Sequence, residues 1–98
     1  MSASIIVKFT AAEGKAKLLT KMLTRIQGGA IAAGCQRITL CQSDENPNEF
    51  IEYEEWESID AYQTFMAALP MQATAALSTL LAGPVEKTYY NRLQTTEK

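Results

Sequence analysis

Glutamates concentrate around the only tryptophan of the chain, in the stretch Phe50–Ser58, which reads FIEYEEWES. Four of its nine residues are glutamates, although the aromatic and branched residues between them are typical of a β-strand. Glutamate is depleted in strands, and like charges on one face repel each other. The stretch is therefore either a carboxylate site for acid–base or metal chemistry or a strand with one solvated face.

Strand geometry divides these glutamates into two groups. Successive side chains point to opposite faces, so Glu52 and Glu54 share a face with Trp56, whereas Glu55 and Glu57 lie on the other face. Burial in an apolar cavity would raise the pKa of Glu52 and make it a candidate general base toward an acidic phenol. The alternative is an ion pair or rim carboxylate that only stabilises the fold, and the same choice applies to Glu54.

The remaining residue types limit the chemistry further. Lys8, on the neighbouring first strand, is the predicted charge partner of Glu52, and its ammonium would lower the pKa of that carboxyl. The chain contains no histidine, which excludes imidazole metal ligands and a Ser-His-Asp triad. We expect no metal site, because two carboxylates on one strand provide too few ligands.

The length, charge and cysteine content of the chain restrict the class of protein. The 98 residues are the size of one domain, and nine basic against eleven acidic residues give a net charge of −2. The chain therefore lacks the excess of basic residues that nucleic-acid binding requires. No apolar run approaches the roughly 18 residues of a membrane span. Cys35 and Cys41 would lie about 20 Å apart along one strand, too far for a disulfide, and free thiols are typical of the cytoplasm. We expect a soluble cytoplasmic protein that binds neither nucleic acid nor membrane.

Periodicity predicts the order β-α-β-β-α-β, with an extra helical segment before the last strand. Ser58 occupies a helix N-cap position, and Pro70 separates the last two helical segments. The predicted strands are Ser4–Thr10, Cys35–Gln42, Phe50–Glu57 and Val85–Leu93, and the helices begin near Lys15, Ser58 and Gln72. This order is typical of an α+β, ferredoxin-like βαββαβ fold, with a four-stranded antiparallel sheet and helices on one side.

The first strand carries apolar residues on both faces, with Ile5 and Val7 on one side and Ile6 on the other. Because helices cover one face only, the other is expected to pack against the sheet of a second copy in a symmetric homodimer. Residues 1–94 are predicted to form the single domain, and residues 95–98 a loose tail.

The segment GCQRITLCQSDENPNEFIEYEEWESIDAY resembles the antibiotic biosynthesis monooxygenase family of dimeric α/β-barrel proteins. The matching features are Gly34-Cys35, a polar turn with Pro47, and the Y-E-x-W-E-S pattern of Tyr53–Ser58. The resemblance implies a dimeric barrel with an apolar cavity between the sheet and helices of each protomer. In the quinone-forming members, that cavity binds a phenolic or anthrone-like substrate, which O2 oxidises without a metal or flavin.

The resemblance also extends to individual residues of the predicted site. Trp56 and Tyr62 match pocket residues of the anthrone-oxidising members, which makes Tyr62 a candidate hydrogen-bond donor and Trp56 a pocket wall or stacking surface. Glu52 stands where those members have asparagine, and Phe65 stands where many relatives have histidine. The predicted site thus comprises Glu52 and Tyr62 as catalytic residues, and Trp56, Glu54, Phe65 and Lys8 as substrate-binding residues, with no cofactor.

Three functions are compatible with this site. The first is a cofactor-independent monooxygenase that oxidises a quinol, phenol or polyketide-like aromatic with O2. The second is a non-catalytic dimeric barrel that binds a hydrophobic aromatic small molecule. The third is an isomerase of a small carbonyl compound, because one fold can serve many chemistries.

Overall fold

The computed structural model describes residues 2–98, which form four strands and three helices. The elements are β1 (Ala3–Thr10), α1 (Ala16–Ala32), β2 (Arg37–Gln42), β3 (Glu49–Trp56), α2 (Ile59–Ala68), α3 (Met71–Ser78) and β4 (Glu86–Asn91). The strands form one antiparallel sheet in the order β2-β3-β1-β4. This arrangement confirms the predicted α+β, ferredoxin-like fold, in which α3 is the extra helical segment.

Helix α1 is held on the sheet by its apolar stripe. Leu19, Leu23 and Ala30 are buried, and the helix continues through Gly28 and Gly29 although each glycine costs about 1 kcal/mol of helix propensity relative to alanine. Buried residues on both sides of the two glycines offset that cost, because tertiary packing supplies most helical stability.

The start of α2 follows from a local signal. The Ser58 side chain accepts a hydrogen bond from the backbone N–H of Ala61 at 3.1 Å, and Asp60 lies in the first turn, where the helix dipole favours an acid. Pro70 then separates α2 from α3 and is itself the N-cap of α3. The chain therefore turns back over the sheet at the positions that the sequence predicts.

The sheet has two different faces. On the inner face, which the helices cover, the buried side chains of β1 and β3 join those of α1 and α2 in one apolar core. On the open face, large apolar side chains are exposed, among them Ile6, Ile51 and Tyr90. None of the helices within residues 2–98 has the length and apolar composition that a bilayer span requires.

Ion pairs on the open face connect strands and the chain end. Glu55 of β3 pairs with Arg92 at 2.6 Å and with Arg37 of β2 at 3.7 Å. Arg37 also contacts Glu97 at 3.3 Å. Glu55, which alternates with Glu54 along β3, is thus paired on the face away from the helices.

Candidate functional site

A cavity of about 230 Å³ lies between the inner face of the sheet and the three helices. Its wall is mainly apolar and takes side chains from every helix and strand of the fold, so its shape depends on the whole sheet–helix packing. The apolar residues of the wall include Val7, Leu23, Ile26, Phe65, Met66 and Leu77. Such a cavity, with few polar groups, is the usual form of a small-molecule site.

Two carboxyl groups of β3 face this cavity. Glu52 and Glu54 are only 6% and 5% exposed, although glutamate is almost never buried without partners. Their partners come from two elements: Gln27 of α1 donates from Nε2 to Glu52 Oε2 at 2.7 Å, and Trp56 donates from Nε1 to Glu54 Oε1 at 2.8 Å. A hydrogen bond with Glu54 is also among the causes that raise the pKa of Glu52, so the two carboxyls interact at the cavity.

Burial raises the pKa of Glu52 from 4.5 to about 8, and the next cause is the hydrogen bond that the protonated Glu52 carboxyl donates to Glu54. The Gln27 hydrogen bond and the Lys87 charge oppose this rise, and the Glu54 charge adds to it. Glu52 is therefore mostly protonated at neutral pH and ionises in the slightly alkaline range. A carboxyl with a pKa near the working pH is suited to act as a general base.

The Tyr62 hydroxyl is a hydrogen-bond donor at the same cavity. Tyr62 is buried, lines the cavity from α2, and makes no side-chain hydrogen bond within residues 2–98. Burial raises the pKa of Tyr62, and Glu54 is the next cause, so its hydroxyl keeps its proton. The hydroxyl can thus donate a hydrogen bond to a ligand.

Trp56 packs behind this wall and is absent from the cavity surface. It is fully buried, and its ring lies 5.7 Å from the Tyr62 ring in an edge-to-face arrangement and 5.6 Å from the Phe65 ring. Trp56 thus positions three cavity residues, two through ring packing and Glu54 through its indole N–H. Trp56 is therefore not among the residues that line the cavity.

Lysine enters the site from a different strand than predicted. Lys8 is exposed and lies directly opposite Ile51, on the open face, so the prediction that it shares a face with Glu52 is wrong. The reason is the alternation of β1 itself, in which Val7 turns inward and Lys8 outward. The lysine of the cavity is Lys87 of β4.

Lys87 of the edge strand β4 lines the cavity and is also exposed to solvent, so it lies at the cavity mouth. Its Nζ is 5.1 Å from the centroid of the Tyr62 ring, within the range of a cation–π contact. Burial lowers the pKa of Lys87, while the charges of Glu54 and Glu52 raise it. The two carboxyls thus favour the charged form of Lys87, against the effect of burial.

The structure brings together four of the six predicted site residues, namely Glu52, Glu54, Tyr62 and Phe65, at one cavity. Sequence reasoning missed Gln27 and Lys87. Lys87 is brought to the cavity by its register opposite Val7 of β1, and Tyr89 on the same face packs 6.1 Å from Tyr62. Neither this register nor the docking of Gln27 against β3 has a local signal in the sequence.

Other reactive groups lie apart from the cavity. Cys35 is buried, with its sulfur 3.4 Å from the carbonyl oxygens of Arg37 and Glu55, and burial raises the pKa of its thiol. Cys41 is exposed. Within residues 2–98, no three histidine, cysteine, aspartate or glutamate side chains lie together as metal ligands would.

Comparison with solved structures shows the same fold in several proteins. A protein from Nitrosomonas europaea is 18% identical with a TM-score of 0.87, covering 98% of this chain and 94% of its own. Rv0793 from Mycobacterium tuberculosis is 21% identical with a TM-score of 0.84, covering 99% of this chain and 100% of its own. SnoaB, a cofactor-independent oxygenase from Streptomyces nogalater, is 20% identical with a TM-score of 0.83, covering 99% and 98%.

A search of curated proteins found no match to this chain. The family model of the antibiotic biosynthesis monooxygenases, in contrast, matches residues 2–77, which include the first three strands and both cavity glutamates. The chain therefore belongs to the antibiotic biosynthesis monooxygenase family.

Proposed function

We propose that this chain is a cofactor-independent monooxygenase that oxidises a phenol, quinol or polyketide-like aromatic with O2. The observation that carries the proposal is the buried Glu52 carboxyl, with its pKa raised to about 8, at the wall of an apolar cavity. The family and the likeness to the oxygenase SnoaB support the reaction class.

Glu52 would begin the reaction as a general base. The O–H bond of a bound phenol breaks, its proton moves to the ionised Glu52 carboxyl, and the electron pair stays on the ligand oxygen. Gln27 and Glu54 keep the carboxyl in place at the cavity wall. The resulting phenolate is electron-rich enough to pass an electron to O2, a transfer that a neutral phenol resists.

The Tyr62 hydroxyl would stabilise the charge that develops on the ligand. It faces the cavity and makes no side-chain hydrogen bond within residues 2–98, so donation to a ligand oxygen costs no existing bond. In the balanced reaction, a phenol and O2 give a quinone and water. One oxygen atom forms the new carbonyl, and the other leaves as water with two hydrogens from the substrate.

The size of the cavity favours a small aromatic. A dry cavity of about 150 Å³ in another protein holds benzene, and the cavity here measures about 230 Å³. We therefore expect substrates of one or two rings, with the rings against Phe65 and the aliphatic residues of the wall. A naphthol is the natural first choice.

The test is oxygen uptake with a panel of phenols, naphthols and quinols, measured with the wild type, Glu52→Gln and a control variant, Glu57→Gln. Glu57 is exposed and is one residue beyond the end of β3. The wild type and Glu57→Gln should form quinone at equal rates, and Glu52→Gln should lose about 100- to 10,000-fold in rate, the usual contribution of a general base. Isotopically labelled O2 should place one label atom in the quinone.

If the wild type consumes no more oxygen than buffer for every compound, the oxygenase proposal fails. A rate that Glu52→Gln leaves unchanged would refute the role of Glu52. The apolar wall also suits a non-catalytic binding protein, and quenching of Trp56 fluorescence by naphthol without oxygen uptake would favour that function.

We further propose that the active form is a homodimer in which a second copy covers the open face. Ile6, Ile51 and Tyr90 are exposed there, and apolar side chains grouped on one sheet face favour packing against another sheet. Each protomer retains its own cavity on the other side of the sheet.

A further inference from the structure

The Lys87 ammonium at the cavity mouth has no part in the proton transfer described above. Its side chain faces the cavity from β4, and Nζ lies 5.1 Å from the centroid of the Tyr62 ring. Within residues 2–98 Lys87 forms no ion pair, since those present there involve Arg37 and Arg92 on the open face. The ammonium is therefore available to a negatively charged group of a ligand.

Strand register places Lys87 and Glu52 on either side of one valine. Lys87 lies opposite Val7 in the β1–β4 pair, and Val7 lies opposite Glu52 in the β1–β3 pair. Neighbouring strands are about 4.8 Å apart, so the two backbones are about 10 Å apart. Val7 has no polar atom in its side chain, so a ligand above it has the carboxyl on one side and the ammonium on the other.

We propose that Lys87 is the anion-binding residue of the cavity and that its ammonium holds the oxyanion formed when Glu52 removes the proton of a phenol or enol. The transfer of the ligand's proton to Glu52 rests on the proposed function. The binding of an aromatic oxyanion by Lys87 does not rest on it. No covalent bond to the protein forms: the proton goes to Glu52, and the charge left on the oxygen pairs with Lys87. The preferred ligand is a compact aromatic with an acidic hydroxyl at the end that reaches the mouth.

The other charged and titratable groups at this end of the cavity are consistent with that role. Glu52 and Glu54 face Lys87 from β3, Tyr62 faces it from α2, and Tyr89 lies two residues along β4. Tyr62 can donate a hydrogen bond to the same oxygen that Lys87 binds. Among these groups Lys87 is the only cation, so its removal leaves a bound phenolate with acidic neighbours alone.

The experiment uses para-nitrophenol, whose absorbance distinguishes the phenol from the phenolate. It is titrated with pH in the presence of the wild type, Lys87→Met, Lys87→Arg and the control Lys8→Met, which removes a lysine from the open face of the same sheet. We expect the wild type and Lys8→Met to lower the pKa of the bound phenol by about one unit, a tenfold preference for the anion. Lys87→Met should lose that preference, and Lys87→Arg should keep most of it.

Para-nitroanisole, which has no acidic proton, serves as the neutral ligand. It should bind equally to the wild type and Lys87→Met, which would show that the cavity of the variant is intact. The proposal is overturned if bound para-nitrophenol has the same pKa in Lys87→Met as in the wild type, or if the wild type fails to prefer the phenolate over para-nitroanisole.

The two proposals fail in different ways. A phenolate preference that depends on Lys87, without oxygen uptake for any compound, supports the anion site and refutes the oxygenase. Oxygen uptake that depends on Glu52, with no effect of Lys87→Met on the pKa of the bound phenol, supports the oxygenase and refutes the anion site.

Discussion

Replacing Glu52 by glutamine should stabilise the folded protein, and increasingly so as the pH rises from about 4.5 to about 8. The pKa of Glu52 is raised from 4.5 to about 8 in the fold, chiefly by burial. Between these values the unfolded chain has lost the proton that the folded chain still binds. The free energy of unfolding therefore falls with pH across this window, because stability rises with pH only where the unfolded state binds more protons.

The pKa shift of Glu52 sets the size of this change in stability. The difference between 4.5 and about 8 is about 3.5 pH units, which at about 1.4 kcal/mol per unit gives an upper limit of about 5 kcal/mol. The folded chain and water relax around an ionised Glu52 and reduce this limit, so we expect about half of it, roughly 2–3 kcal/mol. Below pH 4.5 both states are protonated, and above about 8 both are ionised.

Glutamine fits the hydrogen bonds of the site. Its side-chain oxygen accepts from Gln27, as Glu52 Oε2 does now at 2.7 Å, and its amide group donates to Glu54. The variant thus keeps the hydrogen bond from Gln27 and removes a buried carboxyl whose ionisation opposes folding. At pH 4.5 the wild type and the variant should be nearly equal in stability.

The assay is urea unfolding followed by Trp56 fluorescence from pH 4 to pH 9, at one protein concentration because the proposed homodimer would make stability depend on concentration. The difference in unfolding free energy between Glu52→Gln and the wild type should grow through the window and then level off. Glu57→Gln, which changes an exposed carboxyl, should show no such growth. A difference that stays constant with pH would refute the argument that burial raises the pKa of Glu52.

Three further changes test other parts of the structure. Trp56→Phe removes the indole N–H that Glu54 accepts and should lower the free energy of unfolding by about 2–3 kcal/mol in urea titrations, and an unchanged value would contradict that role. Ser58→Ala removes the N-cap bond to Ala61 and should cost about 1 kcal/mol in the same assay, with Ser58→Asp as the control that restores it. Ile51→Asp should convert the proposed homodimer to a monomer by light scattering, and a wild type that is already monomeric would disprove the dimer.

The fold was predictable because its signals are local. Branched and aromatic runs, the helical stripe of α1, the Ser58 N-cap and the break at Pro70 each lie within a few residues of the element they define. Together they specify the element order, and few topologies satisfy it. The resemblance at Tyr53–Ser58 then indicated the family that the match over residues 2–77 establishes.

The site was predictable only within single strands. Alternation along β3 was enough to place Glu52, Glu54 and Trp56 on one face, because it needs no knowledge of the neighbouring strands. The same alternation along β1 places Lys8 on the open face, because Val7 and Phe9 occupy the inward positions. The prediction for Lys8 was wrong because a lysine on the open face cannot pair with a carboxyl on the inner face.

Other features of the site depend on contacts between residues that are far apart in the sequence, and no local sequence pattern indicates such contacts. Lys87 reaches the cavity through two successive strand registers, and Gln27 reaches Glu52 across 25 residues of sequence through the docking of α1. Whether Trp56 lines the cavity or lies behind it is set by the packing of Tyr62 and Phe65 from α2. Such contacts follow from the tertiary packing of the whole domain.

The two inward glutamates are the point at which local and tertiary requirements conflict. A strand of an apolar wall would be more stable with branched side chains at positions 52 and 54, since buried carboxyls gain little from folding even when they are paired. Gln27 and Trp56 each donate a hydrogen bond that reduces this cost, yet the pKa of Glu52 remains well above its ordinary value. Departures from local consistency that are supported by dedicated partners are expected at functional sites. The proposed proton transfer at the cavity therefore accounts for the pair better than stabilisation of the sheet does.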